Sequence, residues 1–399
     1  MKKQTSLFAS INPIGQNILE NFDFILQDIQ NLNTKQLNLL SQDIRQLSHQ
    51  LTDERSSRRL SYMNDKRFLT AYSRYFMWWN LVRLCSIFAA LDEKSFDNLT
   101  DNSFALDLGS GPLTVVTALW LARPELWKRK ITFYCMDISS SIMSLGEEIF
   151  LSVVAKTIAS SQDSEIEPWK IIRIKGNLGT PLKNKVNFFF CANVFNEMFE
   201  NSSNPIEHIC KNYITSIEKY LINNSKDTTS IFIAEPGIPR SARFISLTRD
   251  ALIRKNYSII SPCPHINFCP MDGRRKSKWC HFILNGKLAP KGLQKLSEDS
   301  GLPKDRASIS FIFAKNNYNK ISTIKDSKLN LLIASDSIKL PNNKKGYYAC
   351  SEIGLVLYIE KNNTNNISSG IFIKTDININ EKNSLNIDKK SGAYLIYEK

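Results

Sequence analysis

Three cysteines and two histidines lie close together between residues 263 and 281, in a segment too rich in proline to form a regular helix. It reads Cys-Pro-His over 263–265, Cys-Pro over 269–270 and Trp-Cys-His over 279–281. Thiolates are soft ligands that suit tetrahedral zinc or an iron-sulfur cluster, and cysteine followed by proline recurs at cluster ligands. The spacing predicts a metal centre that still needs a fourth ligand.

Cys350 is our candidate for the fourth ligand, because it lies between strand-like segments in the C-terminal part of the chain. A bond from Cys350 to the earlier segment would join the two parts, and metal binding would then contribute folding energy. The remaining cysteines lie in apolar runs or in a predicted helix, where cysteine behaves as a small buried hydrophobe. These are Cys85, Cys135, Cys191 and Cys210.

A zinc ion is the alternative to a cluster. In a reducing compartment the eight cysteines are expected to be thiols or metal ligands rather than disulfides. The zinc ligands would be Cys263, Cys269, Cys280 and either His265 or His281.

A second candidate site lies at residues 105–114, which read Ala-Leu-Asp-Leu-Gly-Ser-Gly-Pro-Leu-Thr. Gly109 and Gly111 would let the backbone approach a ligand closely, because a Cβ at either position would obstruct it. Together with Asp107, this turn resembles the first motif of the class I S-adenosylmethionine-dependent methyltransferases, in which the glycine loop passes the amino-acid part of the cofactor. Leu113 departs from the fuller pattern, which has a third glycine there.

The next predicted strand ends in Asp137, where a doubly wound fold presents a carboxylate to ribose hydroxyls. The interval of 30 residues from Asp107 exceeds the roughly 20 of a dinucleotide fingerprint, so S-adenosylmethionine is favoured over a nicotinamide cofactor. Asn177 follows the third strand, where the methyltransferase pattern has a residue that meets the adenine, and Asn193 follows the fourth. We assign to the cofactor site Asp107, Gly109, Gly111, Asp137, Asn177 and Asn193.

No catalytic residue is identified. The sequence has no Asn-Pro-Pro-Tyr or Asp-Pro-Pro-Tyr signature of amino-group methylation. Methyl transfer depends mainly on aligning a nucleophile with the sulfonium, so activity does not require a conspicuous base.

The elements that position these residues follow from the apolar pattern. From residue 104 short apolar runs alternate with helical stretches, which predicts an α/β fold with a mostly parallel sheet, of the class I methyltransferase (Rossmann-like) type. Helical spacing precedes it and strand-like runs with Asn/Lys-rich turns follow it. The predicted units are an N-terminal helical region at 1–98, an S-adenosylmethionine-binding domain at 99–257, a Cys-rich metal-binding segment at 258–300 and a small C-terminal β domain at 301–399.

The charge balance favours a polyanionic partner such as RNA, since 52 Lys and Arg against 38 acidic residues give a net charge of +14. Basic residues alternate with aromatics in the N-terminal helices, a pattern that can contact phosphates and bases. Trp78 and Trp79, by contrast, are expected to pack that helical layer onto the next domain. The predicted RNA contacts are Arg55, Arg58, Arg59, Lys66, Arg67, Arg274, Arg275, Lys276 and Lys278.

The sequence gives no sign of secretion or membrane insertion. Its first residues lack the apolar run of a secretory signal, and no stretch approaches 18 uninterrupted apolar residues. We expect a cytoplasmic monomer.

Several segments together resemble the mitochondrial small-ribosomal-subunit methyltransferase-like assembly factors and their bacterial relatives. They are Asp107–Thr114, Ala234–Gly237 with Arg240 and Arg249, the Pro-Cys-Pro-His and Cys-Pro block, Trp279–Phe282, and Cys350. The resemblance covers roughly residues 70 to 360. It implies a class I methyltransferase fold that acts on or beside small-subunit ribosomal RNA, with a [4Fe-4S] cluster on Cys263, Cys269, Cys280 and Cys350.

Two functions stay open. The chain is either an RNA methyltransferase with a structural cluster, or a noncatalytic assembly factor that keeps the fold and holds ribosomal RNA on its basic face. A radical enzyme is disfavoured because the Cys-x3-Cys-x2-Cys spacing is absent.

Overall fold

A mixed β-sheet forms the centre of the molecule. The computed structural model describes residues 5–52, 65–195, 204–224, 227–274, 278–316, 328–361 and 367–398. The eight strands of this main sheet are β1 Phe104–Leu108, β2 Thr132–Asp137, β3 Lys170–Lys175, β4 Phe188–Ala192, β5 Ser230–Pro236, β6 Ser258–Ser261, β7 Phe282–Asn285 and β8 Arg306–Lys315.

The strand order is β3-β2-β1-β4-β5-β8-β6, with β7 also paired to β8. Strands β1 to β5 run parallel, and β8 runs antiparallel to both β5 and β6. This is a class I methyltransferase-like α/β fold with a mixed sheet. Its topological switch lies between β1 and β4, where doubly wound folds bind ligands at the carboxyl ends of the strands.

Strands β6, β7 and β8 differ from the sequence expectation. The apolar pattern places them in the Cys-rich segment and the C-terminal β domain, but all three belong to the main sheet. The physical reason is the long apolar run of β8, in which seven consecutive residues from 309 to 315 are buried. Such a strand needs neighbours on both sides, and β5 and β6 supply them.

The central strands are buried on both faces because helices cover the sheet. The run Phe-Phe-Phe-Cys of β4 is fully buried, as is most of β1, whereas β3 at the edge alternates between exposed and half-buried positions. The helices are α1 Pro13–Glu20, α2 Phe22–Ile29, α3 Thr34–Thr52, α4 Lys66–Ala71, α5 Trp78–Ala90, α6 Thr114–Ala122, α7 Ser140–Ser161, α8 Ile206–Glu218, α9 Pro239–Arg254 and α10 Lys291–Asp299, with a π-helical stretch at Tyr72–Met77.

The N-terminal helices form a layer that packs directly on the sheet domain. All nine residues of α6 are buried, because α1 and α5 cover the side of α6 that faces away from the sheet. Gly15 brings α1 so close to α6 that a Cβ there would lie 2.3 Å from the Leu121 carbonyl oxygen. Trp78 and Trp79 are 2% and 1% exposed, and their indole nitrogens donate to Leu19 O and Ser297 Oγ. The packing role expected for both tryptophans therefore matches their positions.

A second sheet follows the main one. Its strands are β9 Lys328–Ile333, β10 Ile338–Lys339, β11 Lys345–Ser351, β12 Gly354–Ile359, β13 Phe372–Asn378 and β14 Tyr394–Tyr397. Their order is β13-β9-β11-β12-β14, with β10 on β11. The N-terminal segment joins this sheet, since Leu7 N donates to Gly370 O and Phe372 N donates to Thr5 O. None of the described helices has the length and apolar character that a membrane crossing requires.

Candidate cofactor and metal sites

The glycine loop, residues 109–113, connects β1 to α6 through left-handed backbone. Gly109 and Gly111 have φ of +64° and +51°, a conformation that glycine adopts without steric cost. A Cβ at Gly109 would lie 2.2 Å from Val194 Cγ2, whereas a Cβ at Gly111 would face open space, with Ile142 Cδ1 4.0 Å away. Gly109 therefore serves the packing of the loop, and Gly111 leaves room beside it.

Leu113 takes the place of the third glycine of the motif and keeps a left-handed conformation, with φ of +56°. Its side chain is fully buried. A left-handed backbone costs a residue with a side chain about 1–2 kcal/mol, which burial of the leucine offsets. The loop thus retains its path despite the substitution.

Asp107 lies on β1 immediately below the loop and is completely buried. Among the residues that the structure describes, neither of its carboxylate oxygens has a hydrogen-bond partner. Burial raises the pKa of Asp107 well above its ordinary value, and the nearby charge of Asp137 raises it further. The Ser110 hydroxyl of the loop is also buried, with no partner in the described part of the chain. Polar groups of this kind cost free energy until something binds them.

Asp137 at the end of β2 faces the same loop. Its Oδ2 accepts the Gly111 N–H at 3.0 Å and its Oδ1 accepts the Ser139 N–H at 2.9 Å. Burial raises the pKa of Asp137, and the hydrogen bonds from Ser139 and Gly111 lower it in part. The structure brings Asp107, Gly109, Gly111 and Asp137 together, as the strand ends predicted.

The two asparagines take different positions. Asn177 is exposed after β3, and its backbone N–H donates to Thr180 Oγ1 at 3.2 Å. Asn193 follows β4 with φ of +61°, and its N–H donates to Ala234 O at 2.8 Å. Neither side chain has a described contact with the glycine loop.

Glu235 is a site residue to which sequence reasoning gave no role of its own. It is fully buried at the end of β5, and its Oε1 accepts the N–H groups of Val194 and Phe195 at 2.9 Å each. Since Val194 contacts Gly109, Glu235 supports the loop through the segment after β4. Asp137 and Glu235 are visible in the sequence as acids near strand ends, but the backbone N–H groups that they bind are not.

The cysteine loop, residues 262–281, leaves the same edge of the sheet. β6 ends opposite Phe313 and β7 begins opposite Ile309, so the loop bulges out between two strands that share one side of β8. Trp279 Nε1 donates to Gly237 O at 2.9 Å, which fixes the loop to the carboxyl end of β5. Both candidate sites therefore lie at the carboxyl edge of the parallel strands.

The cysteine pocket consists of Cys263, Cys269, Cys280 and Cys350. Cys269 and Cys350 are buried, the other two are half-buried, and none of the four forms a disulfide with another described residue. Burial raises the pKa of Cys350 well above its ordinary value, and the charges of Cys269, Cys263 and Cys280 raise it further. Burial, with the charge of Cys263, raises the pKa of Cys269 to about 12. The four sulfurs thus lie within electrostatic reach of one another.

Over the same described ranges, no group of three or more His, Cys, Asp or Glu side chains is arranged so that it could hold a metal ion. The cysteine pocket fits a metal centre in its donor chemistry, four soft thiols that are buried or half-buried, but not in a finished ligand geometry.

Arg249 on α9 is the main neighbour of this pocket. Its Nε donates to Cys263 Sγ at 3.2 Å, and its Nη2 donates to the carbonyl oxygens of His265 and Asn267 at 2.9 and 2.7 Å. His265 Nε2 lies 3.0 Å from Cys350 Sγ. Burial, with the charge of Arg249, lowers the pKa of His265 to about 4, so the ring is neutral at pH 7.

The histidines of the zinc alternative are therefore unequal. His281 stacks on Trp279 with ring centroids 4.9 Å apart, and its Nδ1 lies 3.1 Å from Trp279 O. His265 contacts a cysteine of the pocket. Of the two, only His265 has a described contact with a pocket cysteine.

The predicted RNA contacts divide into two groups. Lys66 is exposed, and the side chains of Arg67 and Arg274 are 63% and 64% exposed. Lys278 is half-buried and its Nζ bonds Ser391 O. The rest lie outside the described residues: Arg55, Arg58, Arg59, Arg275 and Lys276.

Two exposed apolar side chains of the cysteine loop are not predicted from the sequence. Ile266 and Phe268 are 63% and 77% exposed. Arg249 donates hydrogen bonds to backbone carbonyl oxygens of their segment, and Asn267 Nδ2 donates to Glu352 O at 3.0 Å. Arg274 is exposed on the same loop. Aromatic and basic groups together can stack on bases and contact phosphates.

Comparison with known proteins identifies the chain through one family model. The model described as mitochondrial small ribosomal subunit Rsm22 matches residues 66–323, nearly two thirds of the sequence. No curated protein matches.

Among solved structures, a precorrin-6y C5,15-methyltransferase from Geobacter metallireducens is 9% identical with a TM-score of 0.30, over 57% of this chain and 86% of that chain. An S-adenosylmethionine-dependent methyltransferase from Geobacter sulfurreducens with bound S-adenosylhomocysteine is 13% identical with a TM-score of 0.30, over 56% and 91%. The assignment rests on the family model.

Proposed function

The chain belongs to the Rsm22 family of mitochondrial small ribosomal subunit proteins, and we propose that it is a methyltransferase-like protein that binds S-adenosylmethionine and contacts small-subunit ribosomal RNA during ribosome assembly. Methyl transfer to that RNA is the first form of this function, and noncatalytic binding of the RNA is the second. No residue is assigned as a catalytic base in either form.

One observation carries the cofactor proposal: the carboxylate of Asp107 is fully buried beside a glycine loop and has no hydrogen-bond partner among the described residues. A cationic ligand group would neutralise this carboxylate, and S-adenosylmethionine carries both an ammonium and a sulfonium. The open space at Gly111 gives the ligand a route to the loop backbone. A loop that served only to turn the chain would not need an uncompensated buried acid.

The cofactor, when bound, supplies a methyl group on a cationic sulfur. In this proposal Asp107 neutralises its amino-acid end, the backbone of Gly109 and Gly111 lies along it, and Asp137 receives the ribose hydroxyls. Asn177 and Asn193 are the proposed contacts for the adenine and the substrate side. The protein's contribution is alignment and exclusion of water, which is sufficient for methyl transfer to a nucleophile already placed by RNA binding.

Calorimetric titration of the purified chain with S-adenosylhomocysteine tests the cofactor proposal. We expect binding by the wild type, its loss in Asp107→Asn and Gly111→Ala, and unchanged binding in Asp299→Asn, which removes an exposed acid on α10. Absence of binding by the folded wild type would overturn the proposal.

We further propose that Cys263, Cys269, Cys280 and Cys350 hold a [4Fe-4S] cluster. Support comes from the four soft donors, the burial of Cys269 and Cys350 and the mutual electrostatic effect of the four. A centre on these residues would join the cysteine loop to β11, so its binding energy would also hold the two sheets together. Zinc on Cys263, Cys269, Cys280 and His265 is the second candidate, because the contact with Cys350 places His265 beside the pocket.

Anaerobic purification followed by metal and sulfide analysis separates these candidates. About four irons and four sulfides per chain are expected for the cluster, against one zinc and no sulfide for the alternative. Cys350→Ser should lose the cluster but would retain a zinc ion held by the other three cysteines and His265, whereas Cys210→Ser, which changes a buried cysteine near Thr248, should retain either metal. A metal-free, folded wild type would contradict both.

The RNA proposal rests on the family, the net charge of +14 and the exposed Arg67, Arg274 and Phe268. Stacking of Phe268 on an unpaired base is worth about 1–3 kcal/mol and depends little on salt. Phe268→Ser should therefore weaken binding of single-stranded RNA at every salt concentration, and Phe268→Trp should restore it. Equal affinities of all three proteins would exclude this contact.

The two forms of the function are separated by transfer of a labelled methyl group. A methyltransferase incorporates label into immature small subunits, and Asp107→Asn abolishes incorporation while leaving RNA affinity unchanged. A noncatalytic factor incorporates none, although it binds the same particles.

A further inference from the structure

A metal centre in the cysteine pocket would have to carry negative charge in a buried place. Four thiolates exceed the charge of an oxidised [4Fe-4S] core by about two units, and three thiolates exceed the charge of a zinc ion by about one. Buried charge without a partner is costly, so the pocket needs a fixed cation. This inference rests on the proposed metal centre and concerns how the protein stabilises it.

Arg249 is positioned to supply this cation. Its side chain is 3% exposed and comes from α9, which belongs to the main sheet domain rather than to the cysteine loop. Its Nε donates to Cys263 Sγ at 3.2 Å, and its Nη2 donates to the carbonyl oxygen of His265, whose ring lies 3.0 Å from Cys350 Sγ. The guanidinium therefore contacts one cysteine of the loop directly and is linked through His265 to Cys350 of the second sheet.

The same side chain also fixes the loop backbone. Nη2 donates to the carbonyl oxygens of His265 and Asn267, on either side of the exposed Ile266, and Nη1 bonds Asp250 Oδ1 at 2.7 Å. A planar fork with several fixed donors can make these contacts at once, which the single ammonium of lysine cannot.

We propose that Arg249 is a positioning residue of the cysteine centre: it balances the charge of the centre, donates a hydrogen bond to the Cys263 sulfur and holds the loop from which three of the four cysteines come. Partners outside the ligand set commonly change metal affinity 10- to 100-fold. Hydrogen bonds and positive charge near the sulfurs also favour the reduced form of a cluster, so their loss lowers the reduction potential.

Arg243 provides a matched control on the same helix. It is also buried, and it makes ion pairs with Glu207 at 2.8 Å and Asp272 at 3.2 Å. It has no described hydrogen bond to a cysteine of the pocket. Replacing Arg243 therefore removes a buried guanidinium of similar structural value without removing the contact with Cys263.

The experiment compares wild type, Arg249→Gln, Arg249→Lys and Arg243→Gln, each isolated anaerobically as the full chain and checked by circular dichroism. Metal loss to a chelator and, for an iron protein, the midpoint potential are measured. We expect Arg249→Gln to lose metal at least about 10-fold faster and to have a lower potential. Arg249→Lys should be intermediate in both, and Arg243→Gln should match the wild type.

Several outcomes would overturn the proposal. Arg249→Gln with the metal retention and potential of the wild type would exclude the role of Arg249 while leaving the metal centre intact. Equal losses in Arg249→Gln and Arg243→Gln would show a general effect of removing a buried arginine. If Arg249→Gln does not fold, Arg249→Lys decides by the same two measurements. A wild type without metal would instead contradict the proposed centre itself.

Discussion

The glycine loop and the cysteine loop lie at the same edge of the main sheet but are held in different ways. The glycine loop is fixed by its left-handed residues, by the hydrogen bond from Gly111 N–H to Asp137, and by Val194, whose N–H Glu235 accepts. The cysteine loop is fixed by long side chains from the main sheet domain, above all Arg249. The glycine loop has a well-defined backbone path, whereas the described residues of the cysteine pocket show no finished metal geometry.

This difference predicts which site the fold depends on. A ligand of the glycine loop should add little to stability beyond its own binding, because the loop is already formed. A metal in the cysteine pocket should contribute folding energy, because it would join β11 to the main sheet. Four substitutions separate the two sites, beginning with the largest expected effect.

Cys269→Ser should cause the greatest loss. We expect the metal and soluble protein to be lost together, with a fall of at least about 4 kcal/mol in the free energy of unfolding of any protein recovered, since structural metal binding is folding energy. Metal content and denaturant unfolding measure both. Cys210→Ser is the control. A stable, metal-free Cys269→Ser protein would show that the fold depends on a ligand of the cysteine pocket no more than on a ligand of the glycine loop.

Substitutions of Gly109 and Gly111 should have the next largest effects, and the two should differ in how much stability they cost. Gly109→Ala brings a Cβ to 2.2 Å from Val194 and keeps an unfavourable φ, so it should cost about 3 kcal/mol of stability. Gly111→Ala meets only open space and should cost about 1 kcal/mol, yet it should abolish cofactor binding. Thermal unfolding and calorimetry compare them. Equal stability losses would show that the loop is not held by Val194.

Asp107→Asn tests how much the buried carboxylate at the proposed cofactor site costs in stability. Because the folded-state pKa of Asp107 is raised, the folded protein binds this proton more tightly than the unfolded chain does. The stabilisation is complete below the unfolded pKa and is lost as the pH rises through the folded pKa. Without cofactor, Asp107→Asn should therefore gain stability relative to wild type as the pH increases from 4 to 8.

Denaturant unfolding across that pH range, with Asp299→Asn as the exposed control, measures the difference. A pH-independent difference between Asp107→Asn and wild type would mean that the carboxylate is already compensated in the folded protein.

Sequence reasoning predicted which residues lie together where the pattern follows successive strand ends. The strand ending near Asp107, the two glycines after it and the second strand ending at Asp137 form a local pattern, and the fold brings these residues together. It failed where contacts are distant in sequence. The apolar run of β8 does not show which strands will lie beside it, and β5 and β6 do so in the structure. The sequence also does not show that Arg249, a charged residue on a helix, faces inward.

The smallest expected effect concerns the exposed face of the cysteine loop. Arg274 is largely exposed, but its Nε lies 3.1 Å from Asp272 Oδ2, and the same carboxylate also binds Arg243. Asp272 therefore orients Arg274 and offsets part of its charge. One phosphate contact changes the slope of log affinity against log salt by about 0.9 in duplex and 0.7 in single strands.

Arg274→Ala should flatten the slope for single-stranded RNA by no more than that amount, with Lys295→Ala on α10 as the control for loss of an exposed charge. Phe268→Ser should lower affinity without changing the slope, since stacking releases few counterions. Binding measured between low and moderate salt decides both. An unchanged slope in Arg274→Ala would mean that Asp272 keeps the guanidinium away from RNA. Stacking by Phe268 would then be the contribution of this loop to RNA binding.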